Sequence, residues 1–370
     1  MPKPVSEITV GRGGSSLMQN KVMLATKRAA RRVTISDVAT ALNLTKSTVS
    51  RAMNGYPDIA EATQLRVRRM AEEMNYQPLS HAQAIKTGLT RSLGLVLQLS
   101  DHDAHRPFLA EFLAGVSAGA STEGYTLTLA SADTHEAVTN SFRALMRDGK
   151  ADGFILPRAM VDDPRAAFLL DADVPFVLYG RPPNAPGCSW FDIRGEEAMQ
   201  HAVRHLTDLG HKRIGFINGG RIYAYASLRR RGFLVGMQAA GLEADPALMV
   251  EDAVTQDDGE AVTDALLLHA NPPTAIVCAV DQVALGAYRA AHRHGLTIGR
   301  DLSITGYDGI QAGAQAQPPL TTFSVNNNAA GARLAKLLIQ QIRGAPPEQL
   351  RETTTADFLD RGSTGRPRSR

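Results

Sequence analysis

From residue 92 to about residue 306 the chain alternates apolar runs of strand length with longer amphipathic stretches. The runs are Leu93–Leu99, Tyr125–Ala130, Gly153–Leu156, Pro175–Tyr179, Arg213–Ile217, Thr274–Ala279 and Leu302–Gly306. Gly124, Gly210 and Gly295 stand where a helical stretch passes into the next run, and glycine ends a helix cheaply because it accepts the left-handed conformation. Strands that alternate with helices pair in parallel, and the crossover helices cover both faces of the sheet. A chain of 370 residues exceeds what one core supports, so this α/β region is expected to hold two sheets in two lobes.

Charge separates the front of the chain from the rest. Residues 1–92 carry 14 Lys+Arg against 6 Asp+Glu, whereas the remainder carries 26 against 31. A basic front end on a mildly acidic body points to a polyanion partner for the front alone. No apolar run is long enough to span a bilayer, and residues 1–10 lack the basic-then-apolar order of a signal peptide; a cytoplasmic protein without a membrane partner is expected. Cys188 and Cys278 are too few for a disulfide framework or a cysteine-based metal site, and no cofactor motif is present.

Residues 33–76 read as three short helices. Thr34 and Asp37 fit a capping box at the first. Asn43-Leu44-Thr45 makes a tight turn, and Thr45 caps a second helix from Lys46 to Met53. Its outward residues, Lys46, Ser47, Thr48, Ser50 and Arg51, are small, polar or basic, as a helix entering the major groove requires. Lys46 and Ser47 suit base edges; Thr48, Ser50 and Arg51 suit phosphates. Ser80-His81-Ala82-Gln83 is a second capping box, before a stretch too short to stay helical alone. In a dimer on DNA two such stretches can pair in the minor groove, with Ile85 as a wedge.

Val33-Thr34-Ile35-Ser36-Asp37-Val38-Ala39, Thr48-Val49-Ser50-Arg51-Ala52-Met53-Asn54 and Asn75-Tyr76-Gln77-Pro78, in that order, resemble the LacI/GalR family of bacterial repressors. The resemblance runs through nearly all of residues 33–362. It implies a homodimer on a pseudo-palindromic operator and a hinge helix that orders on DNA. Thr34, Thr45, Lys46, Ser47, Thr48, Ser50, Arg51, Asn54, Tyr76, His81, Ala82 and Ile85 become the expected DNA contacts. Two departures stand out: the wedge position holds Ile rather than Leu, and Ala60 stands where the third helix is usually capped by Ser.

The implied fold class is α/β: an all-α helix-turn-helix head, a hinge helix and a two-lobed periplasmic-binding-protein-like sensing domain with two parallel sheets. The expected boundaries are a disordered arm at 1–32, the head at 33–78, and the hinge at 79–91. One lobe is expected from 92–190 plus 320–350, the other from 191–319 plus 351–362, and a disordered tail at 363–370. The resemblance makes Arg229, within Ser227-Leu228-Arg229-Arg230-Arg231-Gly232-Phe233, the effector-binding arginine, since its planar fork can donate to two adjacent hydroxyls. Tyr223 and Tyr225 are expected to line the pocket, with Asp281 as both helix cap and acceptor, and Asp192 as a further candidate. Phe108 and Leu109 lie in the first pocket loop; Phe108 either stacks on a ligand ring or packs in the core. Val280 stands where the family often has Asn or Ser.

An arginine, a carboxylate and aromatics suit a sugar effector, and the loop and hinge look most like members that control α-glucoside uptake. A purine or another metabolite would use similar groups. A sugar-binding transport protein shares the two-lobed architecture but predicts a signal peptide and no helix-turn-helix. Gly115-Val116-Ser117-Ala118-Gly119 matches a hydrolase elbow pattern but falls inside a helical stretch, where a nucleophile elbow does not work, so no enzyme is expected. His201 and His205 share a helix face without a third ligand, so no metal is expected either.

Overall fold

The computed structural model describes residues 33–76, 88–98 and 106–368. The chain divides into two units at Gly88/Leu89. The first holds α1 (Ile35–Leu42), α2 (Lys46–Met53) and α3 (Glu61–Glu73). Its start is a capping box: the Thr34 backbone N–H donates to Asp37 Oδ2 at 2.8 Å. α1 ends where Asn43 takes a left-handed conformation, and Thr45 Oγ1 accepts from the Thr48 N–H at 3.1 Å to start α2. Val38, Ala39, Val49, Ala52 and Val67 make the small core, with Tyr76 packed against it. Ala60 leaves α3 without a side-chain cap. Gln64, one turn in, instead donates to the carbonyls of Tyr56 and Ile59 and ties the preceding loop to α3.

The second unit carries two parallel sheets. The first contains β1 (Ser92–Gln98), β2 (Thr126–Ala132), β3 (Gly153–Leu156), β4 (Phe176–Tyr179), β5 (Ser189–Ile193) and β11 (Arg351–Thr354), in the order β11-β5-β4-β3-β1-β2. The second contains β6 (Ile214–Ile217), β7 (Met249–Val250), β8 (Ala275–Cys278) and β9 (Ser303–Thr305), in the order β7-β6-β8-β9. The central strands of each sheet are buried on both faces. In the first lobe, α4 (Arg106–Thr122) and α12 (Asn327–Ile342) cover one side, and α5 (His135–Arg147) and α6 (Pro164–Asp171) the other. In the second lobe, α7 (Gly195–Asp208) and α8 (Ala224–Ala239) face α9 (Gln256–Leu267) and α10 (Asp281–Arg293) across the sheet. β10 (Thr322–Ser324) and β12 (Asp357–Leu359) pair antiparallel where the chain passes between lobes, after the short α11 (Gln311–Gln315).

The Gly115–Gly119 pattern serves packing. Both glycines face the backbone of α12, where an added Cβ would stand 2.0 Å from the Asn328 carbonyl oxygen and 2.6 Å from that of Ala332. Ser117 sits in mid-helix and is exposed, so the elbow geometry is absent.

The expected lobe boundaries need correction. The break at 190/191 would cut β5, and residues 351–354 pair in parallel with β5 in the first sheet rather than joining the second lobe. β11 reads Arg-Glu-Thr-Thr and lies at a sheet edge, so it has no apolar run to announce it. The expected disordered tail at 363–370 is also wrong as far as residue 368. Ser363 is fully buried, its Oγ accepts from the Thr321 N–H at 2.8 Å, and its carbonyl accepts from the Ile304 N–H at 2.9 Å. At the other end of this unit, Thr90 and Arg91, placed in the hinge by sequence, give their N–H groups to the Asp152 carboxylate at 2.7 Å each.

Candidate functional site

In the first unit, Lys46 and Ser47 are exposed on the opening turn of α2. Thr45 and Thr48 share a hydroxyl hydrogen bond of 2.9 Å. Arg51 pairs with Asp58, and its guanidinium lies 5.3 Å from the Tyr56 ring centre, so it is held against the loop after α2 while staying half exposed. Asn54 donates from Nδ2 to the Ser50 carbonyl at 2.6 Å and closes the helix, and Ser50 is half-buried. Thr34 is committed to the α1 cap, and Tyr76 is half-buried. His81, Ala82 and Ile85 lie outside the described residues.

In the second unit, a cavity of about 490 Å³ opens between the lobes at the carboxyl ends of the strands. That is where parallel α/β sheets bind ligands. Arg229, on the second turn of α8, is the centre of one wall. Its guanidinium lies 4.5 Å from the Tyr225 ring centre and 3.8 Å from that of Tyr307. Its Nη1 donates to the Ala279 carbonyl at 2.5 Å, and its Nε has no partner. The opposite wall holds Tyr179, at the end of β4, and Phe108, on the first turn of α4, stacked with centroids 5.8 Å apart.

Three carboxylates, those of Glu111, Asp192 and Asp308, line the same space. Asp308 follows β9 with φ at 129°, a left-handed conformation that a side chain adopts only when its surroundings impose it. Burial pushes its carboxyl up to about 7; the Arg229 guanidinium pulls it down, and the Asp281 carboxylate adds to the rise. Asp192, on β5, is pushed up to about 6 by burial, against the pull of Arg181, whose Nε donates to it at 3.2 Å.

The structure brings Phe108, Asp192, Tyr225 and Arg229 together in the cavity and leaves three expected residues out. Asp281 is not an open acceptor. Its Oδ1 accepts from Thr322 Oγ1 at 2.6 Å and its Oδ2 from the Ile310 N–H at 2.9 Å, bracing the loop after β9 against β10. Nor is it the helix cap; Val280 holds that position and also lines the cavity. Tyr223 does not line the cavity; its ring stacks on that of Tyr225, centroids 5.7 Å apart, and the Arg158 guanidinium lies 5.2 Å from its ring centre. Leu109 is not among the residues that line the cavity, although Phe108 and Glu111 of the same helix turn are. Sequence reasoning missed Tyr179, Tyr307 and Asp308. The signal for the last two was present, since Gly306-Tyr307-Asp308-Gly309 directly follows a strand of the parallel sheet.

His201 and His205 pack on Phe358, with ring centroids 4.5 Å and 5.0 Å away, and His205 Nε2 meets Thr364 Oγ1 at 2.9 Å. Among the described residues no cluster of His, Cys, Asp and Glu could hold a metal ion. Cys188 and Cys278 are buried, and burial pushes both thiols up. No helix among the described residues is long and apolar enough to cross a membrane.

A helix-turn-helix with a polar, basic reading face, joined in one chain to a two-lobed domain with a polar and aromatic cleft, defines a ligand-responsive DNA-binding regulator. Comparison with known proteins agrees. Residues 34–79 match the model for bacterial regulatory proteins of the lacI family, and residues 203–364 match a periplasmic binding protein-like domain. The HTH-type transcriptional regulator AglR of Rhizobium meliloti (strain 1021) is 36% identical over 343 residues, covering 90% of this chain and 94% of that protein. The HTH-type transcriptional regulator RafR of Escherichia coli is 30% identical, covering 90% and 98%. A solved structure of the transcriptional regulator CelR in complex with cellobiose superposes with a TM-score of 0.69 at 28% identity, covering 90% of this chain and all of that one. The chain belongs to the LacI family of bacterial transcriptional regulators.

Proposed function

We propose that this protein is a cytoplasmic, homodimeric repressor whose affinity for a pseudo-palindromic operator is set by a neutral sugar held between the two lobes. The observation that carries the sugar reading is Arg229 fixed between Tyr225 and Tyr307, with Asp308 and Asp192 in the same cavity. A planar fork donates to two neighbouring hydroxyls, carboxylates accept from others, and aromatic faces cover the apolar side of a sugar ring. The cellobiose held by CelR supports the same reading. Lys46 and Ser47, exposed at the start of α2, are the proposed base readers, with Thr48, Ser50 and Arg51 towards phosphates. The sugar favours one arrangement of the lobes over the other, and operator DNA favours the other arrangement. Each ligand therefore lowers the affinity for its counterpart by one common factor.

Two measurements test this. In a thermal-unfolding screen of sugars, sugar phosphates and purines, a sugar at one hundred times its Kd stabilises the protein by about 2.7 kcal/mol, and Arg229→Ala abolishes the shift. A shift from purines alone would replace the sugar with a purine. In gel retardation on DNA upstream of its own gene, specific binding is retained in excess competitor DNA, weakened by Lys46→Ala, and released by the same sugar. Failure to bind any upstream site across a wide salt range would overturn the repressor reading.

A further inference from the structure

The chain enters the sensing unit through an anchored joint. Asp152, just before β3, offers its carboxylate to two consecutive residues, Thr90 and Arg91. Its Oδ1 accepts from the Thr90 N–H and from the Thr90 hydroxyl, and its Oδ2 from the Arg91 N–H, each at 2.7 Å. The Asp152 N–H donates in turn to the Ser92 carbonyl at 2.8 Å, which ties the same residue to the start of β1. Arg91 is also held from β2, since its carbonyl accepts from the Thr126 N–H at 2.9 Å. Its φ of 54° is a left-handed conformation, which a residue other than glycine keeps only where its surroundings impose it.

A carboxylate is suited to this place. It only accepts, through two oxygens, and hydrogen bonds to a charged acceptor are shorter and stronger than neutral ones. An amide would turn its NH2 group towards one of the same donors. The strand that Asp152 precedes is buried along its length and paired on both sides, with β1 and β4. It does not slide without breaking both ladders, so the anchor belongs to the sheet of the first lobe. The direction in which the chain leaves towards the helix-turn-helix is therefore set by that sheet. Without the three bonds, the φ and ψ angles of Thr90 and Arg91 are free to turn, and the direction is lost.

We propose that Asp152 is a positioning residue for DNA reading: by fixing the exit of the chain from the sensing unit, it selects the spacing of the two half-sites that a dimer binds together. The inference rests on the homodimeric, operator-binding reading above and is independent of the sugar. Once one head of a dimer is on its half-site, the second binds intramolecularly, at an effective concentration set by the length and stiffness of what connects them. Slack at residues 90 and 91 spreads the second head over more positions. Its concentration then falls at the correct half-site and rises at wrongly spaced ones. Asp152 acts through the joint and not by touching DNA, so the affinity of a single head for a single half-site does not depend on it.

Footprinting with the full chain locates the site that the wild type protects in the DNA upstream of its own gene. Gel retardation then compares this site with one isolated half-site, and with versions carrying central insertions of up to half a helical turn, about 5 base pairs. Asp152→Asn should bind the intact site roughly tenfold more weakly than wild type, bind the isolated half-site equally well, and lose less affinity than wild type on each insertion. An equal loss on half-site and intact site would mean less folded protein and overturn the inference, as would a spacing profile like that of wild type. Thr90→Val removes the hydroxyl bond and keeps both N–H bonds, so it should fall between wild type and Asp152→Asn. If Asp152→Asn lowers the melting temperature, Thr90→Val decides, and a wild-type spacing profile in it overturns the inference. A wild type that protects no upstream site would remove the operator-binding reading and the inference with it; protection by the wild type with no difference in the variants would remove the inference alone.

Discussion

Arg229 is the first of three consecutive arginines, and only its place on the helix sets it apart. Successive helical residues point about 100° apart, so one of the three turns inward. Arg229 is 9% exposed, whereas the Arg230 and Arg231 side chains are 52% and 61% exposed, beside Glu251 and Glu196. Arg229→Lys keeps the charge but loses the flat fork that rests on two tyrosines. Effector affinity should fall by about 1.5–3 kcal/mol, the worth of a hydrogen bond to a charged group, when measured by calorimetry, with Arg230→Lys close to wild type. Asp308 belongs to the same scale. Its carboxyl stands at about 7 in the folded protein against an ordinary 3.8, so the folded state keeps a proton that the unfolded chain has released. Its contribution to stability is complete below 3.8 and is lost as the pH rises to 7. Melting curves over that range should show stability declining less steeply in Asp308→Asn than in wild type, with the Asp192 contribution, which ends near 6, still present. Equal slopes would mean that Asp308 does not hold the proton. Sequence placed a helix cap at Asp281 because a carboxylate beginning a helix is easy to see, and resemblance to the family added the role of acceptor. Its two oxygens are taken by Thr322 and Ile310, partners 41 and 29 residues away that no local pattern reveals.

At the scale of elements, caps and close crossings decide most. Thr34, Asp37 and Thr45 announce α1 and α2 in the sequence because an N-cap needs a short oxygen-bearing side chain at a fixed offset. Thr45→Ala should cost about 1 kcal/mol in stability of the head and weaken operator binding more than effector binding. The missing cap at Ala60 was equally legible, but its replacement by Gln64 was not, since that contact depends on how the loop folds back. The crossing of α4 and α12 is the counterpart in the sensing unit. A Cβ on Gly331 would stand 2.4 Å from the Phe112 carbonyl oxygen, which belongs to backbone and cannot swing aside. Gly331→Ala should therefore destabilise that unit by roughly 1–3 kcal/mol, the usual cost of overpacking. Calorimetric melting reads the effect, and an unchanged melting temperature would show that the helices can part freely. The same close approach explains why the Gly115–Gly119 pattern mimics a catalytic motif: small residues four apart on a helix are what a tight crossing needs.

For the sensing unit as a whole, the lobes are joined by more than the crossing segments. Residues 159–161, after β3, pair antiparallel with residues 222–224, where α8 begins. The Val161 N–H donates to the Ile222 carbonyl and the Ala224 N–H to the Ala159 carbonyl, both at 2.9 Å. Ala224 is buried in the core of the first lobe although its helix belongs to the second. Tyr223 lies within this pairing, which is why it is absent from the cavity wall. Proline has no N–H, so Val161→Pro removes one bond of the latch and leaves both sheets untouched. Effector affinity should fall several-fold, with amide exchange in β1 and β6 unchanged; retained affinity would show that the latch does not contribute to closure.

Strand-length apolar runs, helix caps and the polar face of α2 were fixed by local chemistry, and that chemistry specified the class of fold and the helices of the head, whereas Arg229 was singled out by resemblance to the family. The matches between expected and observed strands are best where a strand is central and apolar, as at β3, expected and found at Gly153–Leu156. Polar edge strands such as β11, the anchoring of Ser363 beneath Ile304, and the choice of Asp308 over Asp281 came only from the tertiary structure. A buried strand must be apolar wherever it goes, whereas an edge strand or a carboxylate takes its role from whichever distant backbone or side chain reaches it first.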